Sequence, residues 1–284
     1  MRRLKRRVAD RLSGHFPPSE VQALVRLLCM ELPGVRESDF YLENELPPDD
    51  SRDRTVDGWL ERILSGEPVQ YVLGYTIFHG MRISCDRRAL IPRPETTELV
   101  EWIIGDESDR NLSGMRALDI GTGTGCIAIA LAAHLPSCSV AAWDISRGAL
   151  ALAEENAAQN HVDVQFEMKD ILSGPSLSEE SRRFHLIVSN PPYIARHESR
   201  DMERNVLDFE PDTALFVPDG DPLLFYRNIA GYASSHLEPD GSLYFEINPL
   251  YAGQLEQMLE SMGFAVTFRN DISGRCRMAK CRYL

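Results

Sequence analysis

The sequence predicts a doubly wound α/β domain that follows a small helical segment. Three observations carry this reading. From Arg116 onward, short apolar stretches alternate with helical ones, as in a mostly parallel sheet covered on both faces. A glycine-rich turn, Asp119-Ile-Gly-Thr-Gly-Thr-Gly125, joins the first of those strands to the first helix. Before Tyr75 the apolar spacing is helical only.

In the first segment, Val21, Leu24, Val25, Leu27, Leu28 and Leu32 form one broad helical stripe, and Pro33-Gly34 is expected to stop it. Pro47-Pro48-Asp49-Asp50 reads as a loop. Trp59, Leu60, Ile63 and Leu64 give another amphipathic turn, ended by Ser65-Gly66. Residues 1–75 are thus expected to form a helical bundle. Ile77, Phe78, Met81 and Ile83 around Gly80 suggest a β-hairpin within a linker over 76–94. Pro92 and Pro94 impose an extended path, and Pro94 suits the first position of a helix running from Glu95 to Ile104.

In the remaining domain, 95–284, that helix is followed by a strand at Ala117–Ile120 and a helix at Ile127–Ala133. A strand at Val140–Asp144 and a helix at Gly148–Asn160 follow. Further strands are expected at Val164–Met168, His185–Ser189 and Leu243–Ile247, with helices at Leu223–Ala233 and Gln254–Met262. Ala265–Arg269 and Arg277–Tyr283 complete the set. The connection between those last two is too short for a crossover helix, so they are expected to be antiparallel. Ser173–Arg183 is polar and reads as a surface loop.

Composition narrows the function. With 284 residues, 43% of them hydrophobic, the chain can bury one large core and one small one. A net charge of -13 gives no general attraction for nucleic acid, and no stable nucleic-acid binding is expected. The six cysteines form no CxxC pair, so reduced thiols in a cytoplasmic protein, without a metal, are expected. No apolar run approaches membrane-spanning length, and a monomer is expected. The basic start, residues 1–7, reads either as a solvated helical turn or as a contact for an acidic partner or RNA.

The glycine turn, with Gly121, Gly123 and Gly125 interleaved by Thr122 and Thr124, lets backbone approach a ligand where a Cβ would clash. Its spacing is not the GxGxxG of most NAD sites, which disfavours a dehydrogenase. Asp144 ends the next strand, where a carboxylate can accept hydrogen bonds from both ribose hydroxyls. Together they point to an adenosine cofactor. Asp170 and Ile171 end the third strand, with Asp170 placed for the adenine amino group and Ile171 for its face. Asp119 reads either as a cofactor contact through water or as a residue that orders the turn.

Ser189-Asn-Pro-Pro-Tyr193 follows the fourth strand, at the edge where ligands sit in open α/β sheets. A planar amide or exocyclic amine is a poor nucleophile because its lone pair is delocalised. The Asn190 side-chain oxygen and the Pro191 carbonyl can hold its two N–H groups and aim the nitrogen at a methyl donor. Pro192 keeps the path rigid, and Tyr193 offers a flat face for a planar group.

Ile91-Pro-Arg-Pro-Glu-Thr96, Asp119–Gly125, Ser189–Ile194 and Phe209-Glu-Pro-Asp-Thr-Ala-Leu215 occur in this order. With them the chain, from about Pro68 onward, resembles the HemK/PrmC family of peptide chain release factor glutamine methyltransferases. The resemblance implies a class I S-adenosylmethionine-dependent methyltransferase fold, Rossmann-like, seven-stranded, with an antiparallel last strand, behind a small N-terminal helical bundle. It implies methyl transfer from S-adenosylmethionine to the N5 amide nitrogen of the glutamine in the Gly-Gly-Gln motif of class 1 release factors. Cofactor binding then falls on Gly121–Gly125, Asp144 and Asn190, and substrate binding on Asn190–Tyr193. The resemblance also implies that the helical segment helps to grip the release factor. Several family members carry an aromatic residue where this chain has Ile171. The Asn-Pro-Pro-Tyr tetrapeptide also occurs in adenine-N6 and guanine-N2 methyltransferases, so a nucleic-acid methyltransferase is the main alternative. A non-catalytic S-adenosylmethionine-binding module is the second.

Overall fold

Helices alone build the first segment: α1 (Arg2–Leu12), α2 (Pro18–Met30), α3 (Glu37–Tyr41), α4 (Asp50–Leu64) and α5 (Val69–Leu73). In α1, Leu4, Val8 and Leu12 recur every fourth residue and are buried, so one stripe of the helix faces inward. They meet Val21, Leu24 and Leu28 of α2 and Val56, Leu60 and Ile63 of α4 in a single apolar cluster. The Asp49 carboxylate accepts the Ser51 and Arg52 amides and so caps α4. Helix α2 ends at Met30, ahead of the expected stop at Pro33-Gly34. Much of the basic start is paired within this segment: Arg2 and Lys5 reach Glu43, and Arg7 reaches Asp53 and Asp57.

This computed structural model describes residues 1–108, 114–174 and 182–284. Most of the polar stretch Ser173–Arg183 therefore lies outside the described residues. The chain divides into two compact units, Met1–Leu73 and Gly74–Leu284. Among the described residues no helix is long and apolar enough to cross a membrane.

The second unit opens with a hairpin, β1 (Tyr75–Phe78) and β2 (Met81–Ser84). His79 and Gly80 both have positive φ, 47° and 77°, the signature of a two-residue primed turn. Helix α6 (Pro94–Ser108) starts on Pro94 as expected and runs one turn beyond Ile104. Then come β3 (Met115–Ile120), α7 (Cys126–His134), β4 (Cys138–Asp144), α8 (Arg147–Gln159), β5 (Gln165–Met168) and β6 (Phe184–Ser189). Four short elements follow: β7 (Ile194–Ala195), α9 (Arg204–Phe209), α10 (Asp212–Leu215) and β8 (Phe216–Val217). The chain closes with α11 (Leu224–His236), β9 (Leu237–Glu246), α12 (Ala252–Ser261), β10 (Phe264–Asn270) and β11 (Cys276–Tyr283).

Seven strands form one sheet in the order β10-β11-β9-β6-β3-β4-β5. β11 runs antiparallel to both neighbours, and the β9–β6, β6–β3, β3–β4 and β4–β5 pairs are parallel. This is the expected class I methyltransferase arrangement. One face packs under α6 and α7, around Leu99, Ile103, Ile129 and Leu131. The other packs under α11 and α12, around Tyr226, Ile229, Leu255 and Leu259. β3 pairs with β4 on one side and β6 on the other. The strand order therefore reverses beside β3, and the carboxyl ends of β3 and β6 open onto the crevice where such sheets hold ligands.

Candidate active site

The glycine turn leaves β3 already tied to the sheet, because the Gly121 and Thr122 amides both donate to the Trp143 carbonyl at 2.8 and 2.9 Å. Gly125 stands before α7 with φ 81°. A Cβ there would lie 3.0 Å from the Ala153 Cβ and 3.3 Å from the Ala153 Cα. Only glycine satisfies both the left-handed backbone and the close approach of α8. Asp144 is drawn into the turn: its Oδ2 accepts the Gly123 amide at 2.9 Å and its Oδ1 the Ser146 amide at 2.8 Å. Burial pushes the Asp144 carboxyl up, and these amide hydrogen bonds pull it back.

Asp119 is fully buried beneath the turn and does not line the cleft. Its Oδ2 accepts the Thr122 hydroxyl at 2.6 Å. Burial pushes its carboxyl up to about 7. Of the two roles open to it, this placement matches ordering the turn. Asn156, on α8, is also fully buried. It donates to the Thr124 carbonyl at 3.0 Å and accepts the Ser84 amide at 2.7 Å, so it ties the turn to the hairpin.

A cleft of about 390 Å³ opens over these elements. Its wall includes Gly121, Thr122, Gly123, Thr124, Asp144, Asp170, Ile171, Asn190, Pro191 and Pro192. Gly125 is set back under α8. The Asp170 carboxylate caps the turn after it, accepting the Leu172 amide at 2.9 Å. Tyr193 stands behind Asn190, on a second cavity of about 130 Å³ that shares Arg93, Asn190 and Pro191 with the first.

Behind the Asn-Pro-Pro-Tyr motif lies a hydrogen-bonded chain drawn from three elements. The Asn190 Nδ2 donates to the Thr96 hydroxyl at 3.3 Å. That hydroxyl donates to the Glu246 Oε2 at 2.6 Å, and the Tyr193 hydroxyl donates to the Glu246 Oε1 at 3.2 Å. Burial pushes the Glu246 carboxyl up, and the bonds from Thr96 and Tyr193 and the nearby Arg277 charge oppose this. A second buried carboxylate holds the motif segments together. Glu210 accepts the Ile91 amide at 3.0 Å and the Arg93 guanidinium at 2.6 Å. The Pro-Arg-Pro-Glu-Thr and Phe-Glu-Pro elements thus meet in space, with the Arg87 guanidinium 4.6 Å over the Phe209 ring.

Residues 4–74 match the family model of the PrmC N-terminal domain, and residues 106–209 that of the methyltransferase small domain. The release factor glutamine methyltransferase of Flavobacterium psychrophilum is 40% identical over 274 residues, 96% of this chain and 95% of that one. That of Bacteroides thetaiotaomicron is 41% identical over 279 residues, 98% of each chain. The chain belongs to the release factor glutamine methyltransferase family. Membership in this HemK/PrmC family makes it a methyltransferase and implies S-adenosylmethionine as the methyl source. Solved structures share the fold at lower identity. A methyltransferase from Pyrococcus furiosus has a TM-score of 0.50 and 18% identity, with 78% of this chain and 95% of that one covered. The human methyltransferase 10 domain containing protein has a TM-score of 0.51 and 19% identity, with 72% and 90% covered.

Thr96, Asn156, Glu210 and Glu246 are among the residues around the site that the sequence did not single out for a role. Thr96 closes a motif already recognised, which is the one signal that points to it. Glu246 reads as an ordinary strand residue and Asn156 as an ordinary helix residue.

Proposed function

We propose that this chain transfers the methyl group of S-adenosylmethionine to the side-chain amide nitrogen of the glutamine in the Gly-Gly-Gln motif of class 1 release factors, in the cytoplasm. The observation that carries the proposal is the 41% identity with a release factor glutamine methyltransferase across 98% of both chains, which spans both units. The arrangement at Asn190 supports it independently, because it suits a planar nitrogen that needs an acceptor.

The cleft fits the cofactor on the chemistry of its own groups. Each Asp144 oxygen takes one backbone amide and has a further lone pair, so the carboxylate can still accept from a ribose diol. Ile145, exposed at the cleft, and Ile171 supply apolar surface for a flat base, and Asp170 stands beside them. The cofactor would be held by Gly121, Thr122, Gly123, Thr124, Asp144, Asp170, Ile171 and Asn190, with Gly125 shaping the turn from behind, and it would supply a methyl group on a positively charged sulfur.

The chain's own contribution is position. The Asn190 Oδ1 accepts one N–H of the substrate amide and the Pro191 carbonyl accepts the other. Holding both hydrogens favours the form in which the nitrogen lone pair is free to attack and stabilises the positive charge that develops there. Pro192 fixes the turn, and Tyr193 backs it with its ring. No strong base is needed, because the methylated nitrogen becomes acidic and its proton passes to water. Residues 1–75 dock the release factor.

Mass spectrometry of a Gly-Gly-Gln peptide and of intact release factor, after incubation with the protein and cofactor, tests the reading. A 14-dalton gain on the glutamine is expected, by the mass of one methylene. Methyl label found only on DNA or RNA added in parallel would overturn it.

A further inference from the structure

We propose that Thr96 is a positioning residue: its hydroxyl, held by the buried Glu246 carboxylate, fixes which end of the Asn190 amide faces the substrate. The inference rests on the amide-transfer reading above and concerns how Asn190 is made ready for it.

An asparagine amide presents an oxygen and a nitrogen of nearly the same shape, and a half-turn about the last side-chain bond exchanges them. For Asn190 the two states are not equivalent. With Oδ1 toward the cleft it accepts an N–H of the substrate amide. With Nδ2 toward the cleft, donor meets donor and the substrate nitrogen is turned away. Asn190 therefore needs a neighbour that accepts but does not donate.

Thr96 is made into that neighbour. A threonine hydroxyl has one hydrogen, and here it is committed to the Glu246 Oε2 at 2.6 Å, a length usual for a hydrogen bond to a carboxylate. Toward Asn190 the same oxygen offers lone pairs, and it takes the Nδ2 hydrogen at 3.3 Å. Thr96 is 2% exposed and Glu246 1% exposed, so little solvent reaches either to substitute for it. The other Glu246 oxygen accepts the Tyr193 hydroxyl, and the Glu246 backbone carbonyl accepts the Tyr226 hydroxyl at 3.1 Å. The end of β9 is thereby pinned from two sides, and the orientation it imposes passes through α6 to the loop after β6.

The test uses the full chain with Thr96→Val, which keeps the shape and removes the hydroxyl, and Thr96→Ser, which restores it. Thr96→Val should lower kcat by about 10- to 100-fold, the scale of a misoriented reacting group. KM and cofactor affinity should change by less than about twofold, and Thr96→Ser should recover most of the rate. In an Asn190→Ala background, Thr96→Val should cost less than about twofold more, because it acts through the residue already removed. Full multiplication of the two losses, or an undiminished kcat in Thr96→Val, would overturn the inference. A readout without turnover separates this from the function itself. Exchange of the Asn190 side-chain amide protons with water, followed by NMR, should quicken in Thr96→Val and slow again in Thr96→Ser. Unchanged exchange defeats the positioning role even if the wild type methylates release factor. Exchange that quickens in Thr96→Val, beside a wild type that leaves release factor unmethylated, defeats the function reading and leaves the positioning role standing.

Discussion

At the scale of single residues, Asn190 and Asp119 show two different uses of a polar group at the sheet edge. Asn190 lines the cleft, where its oxygen is proposed to orient the substrate amide. Asn190→Ala should lower kcat by about 100-fold or more with a smaller loss of cofactor affinity. Single-turnover methyl transfer and calorimetric titration measure the two, and a full rate in the variant would remove the residue from the reaction. Asp119 works below the cleft. Its carboxyl is raised to about 7 by burial, with the Thr122 hydroxyl acting against the shift and Asp144 adding to it. The folded state therefore holds a proton that the unfolded chain gives up near its usual value of 3.8. Stability linked to this group is complete below that value, falls as pH rises through the interval, and levels off above about 7. Asp119→Asn keeps an acceptor for Thr122 and removes the charge. Its stability advantage should be absent near pH 4, grow toward pH 7 and then stay level, reaching a few kcal/mol in order of magnitude. Urea unfolding at a series of pH values measures it; a constant difference across that range would mean that Asp119 ionises as an ordinary surface carboxylate does.

At the scale of elements, the glycine turn separates two kinds of glycine requirement. Gly121 has φ 75° with nothing within 4 Å of an added Cβ, whereas Gly125 adds a 3.0 Å contact with Ala153 to its φ of 81°. Gly121→Ala should cost about 1 kcal/mol of backbone strain. Gly125→Ala should cost more, about 2–4 kcal/mol, because α7 and α8 must also part. It should weaken cofactor binding with it. Thermal unfolding and calorimetry compare the pair, and equal losses would mean that the contact with α8 relaxes freely. These local devices were legible in the sequence because they are contiguous: Gly121–Gly125, Asp144 at a strand end, Asn190–Tyr193 after another. The bond between Thr96 and Glu246 joins residues 150 apart in sequence, and nothing in either neighbourhood signals the other. The short elements between Ile194 and Val217 were equally hard to read, since two to six residues display no period.

At the scale of the whole molecule, the two units carry separate apolar cores. The proposed methyl-transfer site is built from residues of the second unit, and the first is proposed to recognise the protein substrate. Residues 74–284 alone should bind cofactor as the full chain does. They should methylate a short Gly-Gly-Gln peptide at the full chain's rate, yet lose about tenfold or more in kcat/KM on intact release factor, the equivalent of about 1.4 kcal/mol of docking energy. Steady-state kinetics on both substrates measures this, and an equal loss on peptide and protein would place the defect in the catalytic unit rather than in docking.

The place of β11 bears on how the chain is made. It is the last strand of the sheet to be synthesised, yet it lies inside, between β9 and β10. Until it emerges, β9 presents an open edge whose residues 241–246 are all buried in the finished fold, and β10 has no strand to join. A nascent or truncated chain that stops short of Cys276 therefore carries an apolar pairing template into the cell. Pairing of β11 with β9 covers that edge and seats β10 beyond it.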